Sequence, residues 1–230
     1  MSQTETTTMQ TTVIYNDDKT HRYLLRKEWD SDKPSAEIIM LYPSSADTVT
    51  VDHTTMFVLH NLERLDYGSV NIVNLFSSMN GKRSTSDIDD ENLMYIEQYA
   101  EKSDIIIFAT GTGGDGNKTV LRMQKDVLDM LASYKGKLVC IADGNGRKFY
   151  HPLCPTVRKW NLAEFSYDEL KAYQEEKATP DYLKTKLKTE EAEISHETIS
   201  PAETSDESIS SADSSHETTS ETSANLERNK

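Results

Sequence analysis

The stretch AEIIMLY at residues 36–42 decides the fold class, because apolar side chains occupy nearly every one of its positions. Strands that are buried on both faces of a sheet show such short, continuous apolar runs. Three further runs of this kind follow along the chain: SVNIVNLF at 69–76, DIIIFAT at 104–110 and KLVCIAD at 137–143. The sequence therefore predicts four core strands.

Segments with apolar residues three or four positions apart separate these runs and predict amphipathic helices. They cover residues 52–65, 89–102 and 118–134. Strands that alternate with helices form a mostly parallel, twisted sheet with right-handed crossovers and helices on both faces. The predicted fold class is therefore a three-layer α/β/α domain with a mostly parallel central sheet.

Both ends of this domain carry their own signals. VIYNDD and RYLLRKEWD, at 13–18 and 22–30, alternate large apolar and polar residues and predict an N-terminal edge hairpin. FSYDELKAYQEE predicts a last helix, because Ser166 and Glu169 have the spacing of a capping box. We therefore expect an α/β domain at 13–175, after a flexible N-terminus at 1–12.

Residues 176–230 predict a disordered acidic tail. Ser, Thr and Glu dominate it, and a ten-residue repeat begins with SHETIS at Ser195, SDESIS at Ser205 and SHETTS at Ser215. So few apolar residues cannot compensate for the entropy lost on ordering. We expect a solvated linker, or else a segment that is phosphorylated on its Ser and Thr residues.

Composition and charge exclude several classes of protein. The formal net charge of −14 opposes binding to nucleic acid through a broad basic face. Cys140 and Cys154 have the spacing of neither a disulfide framework nor a zinc site. No apolar stretch resembles a signal peptide or a membrane span. The sequence therefore predicts a cytoplasmic protein without a membrane, metal or cofactor partner.

Ligands of parallel sheets bind beyond the carboxyl ends of the strands, so the loops there hold the candidate residues. Asp47, Asp52 and His53 either favour the positive end of a helix or supply a carboxylate that orients water. Asn74 ends a buried strand, and its amide either ties down a loop or meets a ligand such as a pyrimidine edge. His151 lies in a loop whose backbone is fixed by the prolines at 152 and 155, and it is either a hydrogen-bond donor or acid or a plain loop residue.

The glycines at 111, 113, 114 and 116 lie between a strand and a helix. They form either a phosphate-binding turn or a flexible loop whose residues adopt positive φ. The first reading predicts affinity for free phosphates rather than for bases.

Six segments occur in order over residues 20–162: RYLLRKEWD, AEIIMLYPSSAD, VDHTT, DYGSVNIVNLFSS, DIIIFATG and HPLCP. Together they resemble the domain-of-unknown-function family numbered 1643 of bacteria and phages. The family usually has Asn-Pro-Ser-Thr-Ala-Asp where this chain has Tyr-Pro-Ser-Ser-Ala-Asp from Tyr42, and Asp-Asp-Pro-Thr where it has Val-Asp-His-Thr from Val51.

More distantly, the layout is similar to the uracil-DNA glycosylase superfamily. This resemblance implies that Asn74 reads the edge of a base and that Phe57 stacks on it. It also implies that His151 stabilises charge on the leaving base, while Asp47 orients water. The remaining residues of the implied substrate site are Tyr42, Ser44 and Asp52.

The sequence thus predicts a glycosylase-like pocket for a nucleobase or nucleotide which, if it is catalytic, hydrolyses an N-glycosidic bond. The alternative is a non-catalytic binding or interaction module of phage or mobile-element origin. Whether the protein is an enzyme, whether it engages DNA and what its oligomeric state is all stay open.

Overall fold

The computed structural model describes residues 2–79, 89–111 and 117–177. The strands are β1 (Gln10–Tyr15), β2 (Arg22–Glu28), β3 (Ser35–Met40), β4 (Ser69–Asn74), β5 (Ile105–Phe108), β6 (Leu138–Ala142) and β7 (Asn161–Glu164). The helices are α1 (His53–Arg64), α2 (Asp90–Lys102), α3 (Lys118–Met130) and α4 (Tyr167–Lys177), with 3-10 turns at Leu131–Lys137 and Pro155–Val157.

The described strands form one mixed sheet in the order β1-β2-β4-β3-β5-β6-β7. The four predicted core strands, β3 to β6, pair in parallel. The pairs β1–β2, β2–β4 and β6–β7 are antiparallel. The β1–β2 pair confirms the predicted N-terminal hairpin, whereas the antiparallel pairs β2–β4 and β6–β7 make the sheet mixed instead of mostly parallel. The sequence does not predict β7, because its residues NLAE lack a continuous apolar run.

The sheet separates two apolar cores, since successive side chains of a strand point to opposite faces. In β3, Ile38 packs in the core that contains Val58 and Leu62 of α1. Its neighbour Ile39 packs in the core that contains residues of α2 and α3. The chain leaves β3 in one direction and returns past it to β5, so the carboxyl ends of these strands flank a topological switch point, where ligand crevices form.

The four predicted helices are confirmed, and so is the predicted capping box of the last one. Asp52 accepts a hydrogen bond from the Thr55 N–H, as an N-cap residue does. Ser166 and Glu169 form the predicted capping box, with distances of 3.1 and 2.8 Å. The third helix ends at Met130 and continues as a 3-10 turn.

Two predicted boundaries differ from the structure or lie beyond it. β1 begins at Gln10, inside the segment 1–12 that was expected to be flexible, because Gln10 already pairs with Glu28. The predicted tail lies outside the described residues beyond Lys177. Within the described ranges, no helix is both long and apolar enough to cross a membrane.

Glu37 of β3 is a fully buried carboxyl group at 0% exposure. Neither of its carboxyl oxygens has a hydrogen-bond partner in the described part of the chain. Burial raises the pKa of Glu37 well above its usual value, and the charge of Lys137 opposes this only in part. Burial therefore favours the neutral, protonated form of Glu37 in the folded state.

We expect Glu37→Gln to increase the free energy of unfolding, and more so at pH 8 than at pH 5. The folded state keeps the proton, whereas the unfolded chain loses it above its ordinary pKa, so stability falls as pH rises. The slope is up to about 1.4 kcal/mol per pH unit between the two pKa values. Glutamine has the same shape and does not titrate. Urea unfolding at both pH values measures the difference.

The matched control is Glu97→Gln, because this substitution makes the same chemical change at an exposed position of α2. It should change stability equally little at both pH values. A Glu37→Gln effect that is the same at pH 5 and pH 8 would contradict a raised pKa of Glu37.

Candidate functional site

The candidate site lies at the carboxyl ends of β3 and β4, beside the start of α1. The residues of the β3–α1 loop, defined here as residues 41–52, follow β3 at this end of the sheet. Asn74 ends β4 directly beside Met40 of β3. His151 approaches from the segment after β6 and is close enough to Asp52 for their charges to interact. Most of the residues singled out in the sequence therefore converge.

Asn74 carries an amide that is buried at 1% exposure. Its Oδ1 and Nδ2 atoms both lack a hydrogen-bond partner among the described residues. The neighbouring loop is instead held by Asn92, whose Nδ2 donates to the Asn74 and Leu75 carbonyls. A buried polar group without a partner costs about 1–3 kcal/mol. The amide thus has unused hydrogen-bonding capacity at the ligand-binding end of the sheet.

Asp47 organises its own loop. Its Oδ1 atom accepts hydrogen bonds from the backbone N–H groups of Val49 and Thr50, at 2.8 and 2.7 Å. These bonds lower the pKa of Asp47, so the carboxylate is ionised at neutral pH. The nearby Ser44 hydroxyl accepts a weaker hydrogen bond from the Ala46 N–H, at 3.4 Å.

Asp52 combines helix capping with charge at the site. Its Oδ1 atom accepts the Thr55 N–H at 2.7 Å. Burial raises the pKa of Asp52, but hydrogen bonds from Ser44 and Thr55 and the positive charge of Arg22 outweigh it. The pKa therefore lies below its usual value, and Asp52 is ionised at neutral pH.

The loop that carries His151 is fixed by Asp143 at the end of β6. The Asp143 carboxylate accepts hydrogen bonds from the N–H groups of Asn145 and Arg147, at 2.8 and 2.9 Å. It also accepts the Tyr150 hydroxyl at 3.0 Å. The turn is therefore held up to the residue before the histidine.

His151 is half-buried and has a defined tautomer. Its Nδ1 atom accepts the Leu153 N–H at 3.2 Å, which assigns the proton of the neutral ring to Nε2. Burial lowers the pKa of His151, and the charge of Asp52 raises it by less. The imidazole is therefore neutral at pH 7 and has one N–H to donate, through Nε2.

Gly111, at the exit of β5, packs directly against His151. Its φ is +62°, and a Cβ added there would lie 2.5 Å from the His151 Cβ. Only glycine fits this approach without displacing the histidine. The other glycines of the proposed phosphate-binding turn, at 113, 114 and 116, lie outside the described residues.

Two aromatic rings were candidates for contact with a base. Tyr42 stacks on Phe76 with ring centroids 5.2 Å apart and an interplanar angle of 20°. The ring of Phe57, in the second turn of α1, is covered on one side by the Arg158 guanidinium, 4.7 Å from its centroid. Phe57 therefore has at most one face left for a ligand.

Sequence reasoning missed Arg22, the first residue of β2. It is buried at 1% exposure, and its Nη1 atom donates to the carbonyl oxygens of Ser44 and Ala46, at 3.1 and 2.5 Å. Burial lowers its pKa, whereas the charges of Tyr15, Asp52 and Asp47 raise it. In the sequence, an arginine at the start of a strand looks like an ordinary solvent-exposed charged residue. No local sequence pattern indicates its position, because only the antiparallel pairing of β2 with β4 brings the start of β2 to the carboxyl ends of the core strands.

A separate cavity of about 450 Å³ lies between the end of α3 and the start of β6. It is lined by Leu128, Leu138 and Phe165 among other residues. Because it adjoins the amino end of β6, it is at the opposite end of that strand from the loop of His151. In the ranges described above, no group of three His, Cys, Asp or Glu residues is placed to hold a metal ion.

A comparison with known protein families finds a match over a range that contains most of the site residues. Residues 22–153 match a family model described as "Protein of unknown function (DUF1643)", which is more than half of the chain. No curated protein matches the chain. The matched range contains Arg22, Ser44, Asp52, Asn74 and His151. The protein therefore belongs to the DUF1643 family.

Proposed function

We propose that the site binds a nucleobase or nucleotide in a glycosylase-like pocket, and that its reaction is hydrolysis of an N-glycosidic bond. The observation that carries this proposal is the buried Asn74 amide without a partner. An amide presents a donor and an acceptor side by side. Enzymes that act on bases read the edge of a base with hydrogen bonds of this kind.

The proposal includes a three-layer fold like that of the uracil-DNA glycosylase superfamily. Its support is the parallel order β4-β3-β5-β6 of the central strands. A second support is that α1 contributes to one core, whereas α2 and α3 contribute to the other. The pocket would then occupy the switch point between β3 and β5.

A ligand reaches the amide only if part of the surroundings moves, because both amide atoms of Asn74 are closed to solvent. The β3–α1 loop is the element that we expect to move. Its contacts with the sheet include the hydrogen bonds from Arg22 to Ser44 and Ala46, whereas the Asp47 hydrogen bonds are internal to the loop. Binding therefore couples to an opening of this loop, with the open form as a minor state.

In the proposed reaction, water attacks the sugar carbon and the electron pair of the glycosidic bond leaves with the base. The His151 Nε2–H donates to the departing base and stabilises its negative charge. An ionised carboxylate accepts the proton of the water and stabilises the positive sugar. The contacts favour Asp52 for this role over Asp47, because Asp52 interacts with His151 while Asp47 bonds to its own loop.

We expect at least one base, nucleoside or nucleotide to raise the melting temperature of the protein, and Asn74→Ala to abolish the increase. A ligand at a hundred times its Kd stabilises the folded state by about 2.7 kcal/mol, which corresponds to about 5–10 °C. Without ligand, Asn74→Ala should be close to neutral, since it removes polar atoms that have no partner. Thermal-shift measurements with free bases, nucleosides and nucleotides test this.

The matched control is Asn145→Ala, because Asn145 is exposed in the loop after β6. This variant should keep the full ligand-induced increase. His151→Ala should keep binding and lower the rate of base release by about 10²-fold or more. If none of the ligands changes the melting temperature of the wild-type protein, the proposed pocket is refuted.

A second candidate function, a non-catalytic interaction module, is favoured by apolar side chains at the rim of the site. Val49 is 87% exposed, and Val51, Met56 and Leu153 are 45%, 47% and 38% exposed. They belong to the β3–α1 loop, the first turn of α1 and the turn after His151. Grouped exposed apolar residues are typical of contact surfaces. A protein with this function would bind no base.

A further inference from the structure

We propose that Arg22 is a further ligand-binding residue of this site, and that its Nε–H and Nη2–H groups bind two neighbouring acceptor atoms of a guanine base, O6 and N7. This inference deepens the proposed function and rests on it. It is supported by the position and the unpartnered donors of Arg22, which are independent of the Asn74 amide.

The position of Arg22 places it across the end of β4. The order β2-β4-β3 puts β4 between Arg22 and the loop that follows β3. The Arg22 backbone N–H donates to Ser77, just after β4, while its Nη1 reaches Ser44 and Ala46, after β3. The side chain therefore crosses the carboxyl end of β4, where Asn74 lies. The Arg22 guanidinium and the Asn74 amide, which both have hydrogen-bonding atoms without a partner among the described residues, therefore lie at the same end of the sheet.

The unused donors of Arg22 are costly in this position. Its Nε and Nη2 atoms are buried and have no hydrogen-bond partner among the described residues. Buried arginines are normally paired, and a charged donor without a partner costs more than a neutral one. The guanidinium is rigid and planar, so its Nε–H and one of its two Nη2–H groups lie side by side and point in the same direction.

The local charges favour a neutral ligand edge over a phosphate group. Asp47 and Asp52 are both ionised, because the pKa of each lies below its usual value. His151 is neutral, so Arg22 is the one cation among these four residues. Lys27 offsets part of the charge of Asp47, but a phosphate would still add negative charge beside the Asp52 carboxylate, in a chain whose formal net charge is already −14. The paired donors therefore need paired acceptors that carry no full charge.

Guanine offers such a pair. Its N7 and O6 atoms lie side by side on one edge, whereas adenine replaces the second acceptor with a donor. Two parallel N–H groups of an arginine match the guanine pair, and this match contributes about 1–3 kcal/mol of discrimination between bases. The Asn74 amide is then available for another edge of the same base.

The test compares the affinities of guanosine, adenosine, uridine, 7-deazaguanosine and inorganic phosphate for the full-length protein by calorimetric titration. We expect guanosine to bind at least about tenfold more tightly than adenosine. We expect 7-deazaguanosine, which lacks only the N7 acceptor, to lose about tenfold in affinity. This comparison needs no variant, so it does not depend on how a substitution at Arg22 affects folding.

Arg22→Lys should abolish the preference for guanosine, because lysine keeps the charge but not the planar pair of donors. The matched control is Arg26→Lys, four residues along β2, where the arginine binds Asn71 and Glu28. It should keep the preference.

Three outcomes would overturn the inference, and they differ in their meaning for the proposed function. Equal binding of guanosine, adenosine and 7-deazaguanosine that Asn74→Ala abolishes would refute the role of Arg22 and leave the base pocket intact. Binding of inorganic phosphate that Arg22→Lys retains and Arg22→Gln abolishes would show that the group binds anions instead. Absence of binding by every nucleoside would refute the role of Arg22, and it would refute both proposals if no base or nucleotide changes the melting temperature either.

Discussion

Gly68→Ala is expected to cost about 3–5 kcal/mol of the free energy of unfolding, the largest loss that we predict. A Cβ at this position would lie 1.8 Å from the carbonyl oxygen of Asp30 and 2.8 Å from the Cβ of Lys33. The glycine cannot move away, because its N–H donates to Pro34 and its carbonyl accepts the N–H groups of Trp29 and Asp30. The added methyl group must therefore either overlap with these atoms or force the backbone to break these hydrogen bonds.

Urea unfolding of Gly68→Ala and wild type measures this loss. Gly136→Ala is the matched control, because nothing lies within 4 Å of its added Cβ. Its stability should stay within about 1 kcal/mol of wild type. If Gly68→Ala is as stable as Gly136→Ala, the junction between α1 and β4 is not packed as described.

Gly111→Ala is expected to have the second-largest effect and to act on the candidate site. A left-handed conformation costs alanine about 1–2 kcal/mol. The overlap with the His151 Cβ adds about 1–3 kcal/mol, unless the histidine moves. We expect a loss of about 2–5 kcal/mol in stability. The ring proton signals of His151 in an NMR spectrum should also shift.

Gly146→Ala separates the two contributions, because Gly146 has a φ of +79° but no atom within 4 Å of the added Cβ. It should lose only the conformational part, about 1–2 kcal/mol. It should also leave the His151 signals unchanged. Equal losses in the two variants, with no change at His151, would contradict the close packing of β5 against the histidine.

The sequence predicts the parallel centre of the fold because burial on both faces leaves a direct trace. Core strands such as β3 and β4 must be apolar at nearly every position, so their runs are visible without any tertiary information. β7 leaves no such trace, since it is held by pairing with β6 at the edge of the sheet. Its existence depends on contacts that a local pattern does not contain.

The residues of the candidate site also fall into two groups: those that a local sequence pattern predicts and those that only the folded chain brings there. Asn74, Asp52 and His151 follow or adjoin core strands, so the rule for strand ends predicts their convergence. Arg22 and Arg158 are different, because only the folded chain brings them to the β3–α1 loop and to the ring of Phe57. The burial of Arg22 and the stacking of Arg158 on Phe57 both result from tertiary packing. The prediction that Phe57 stacks on a base did not include a cation on one of its faces.

The side-chain amide signal of Asn74 in a nitrogen–proton NMR correlation spectrum tests the central claim most directly. The signal is assigned by its loss in Asn74→Ala and followed during titration with nucleosides. The account predicts that it shifts to saturation, with the same Kd as the calorimetric titration. An Asn74 signal that stays unchanged throughout the titration, while other signals move or none does, would contradict a ligand-binding role for this amide.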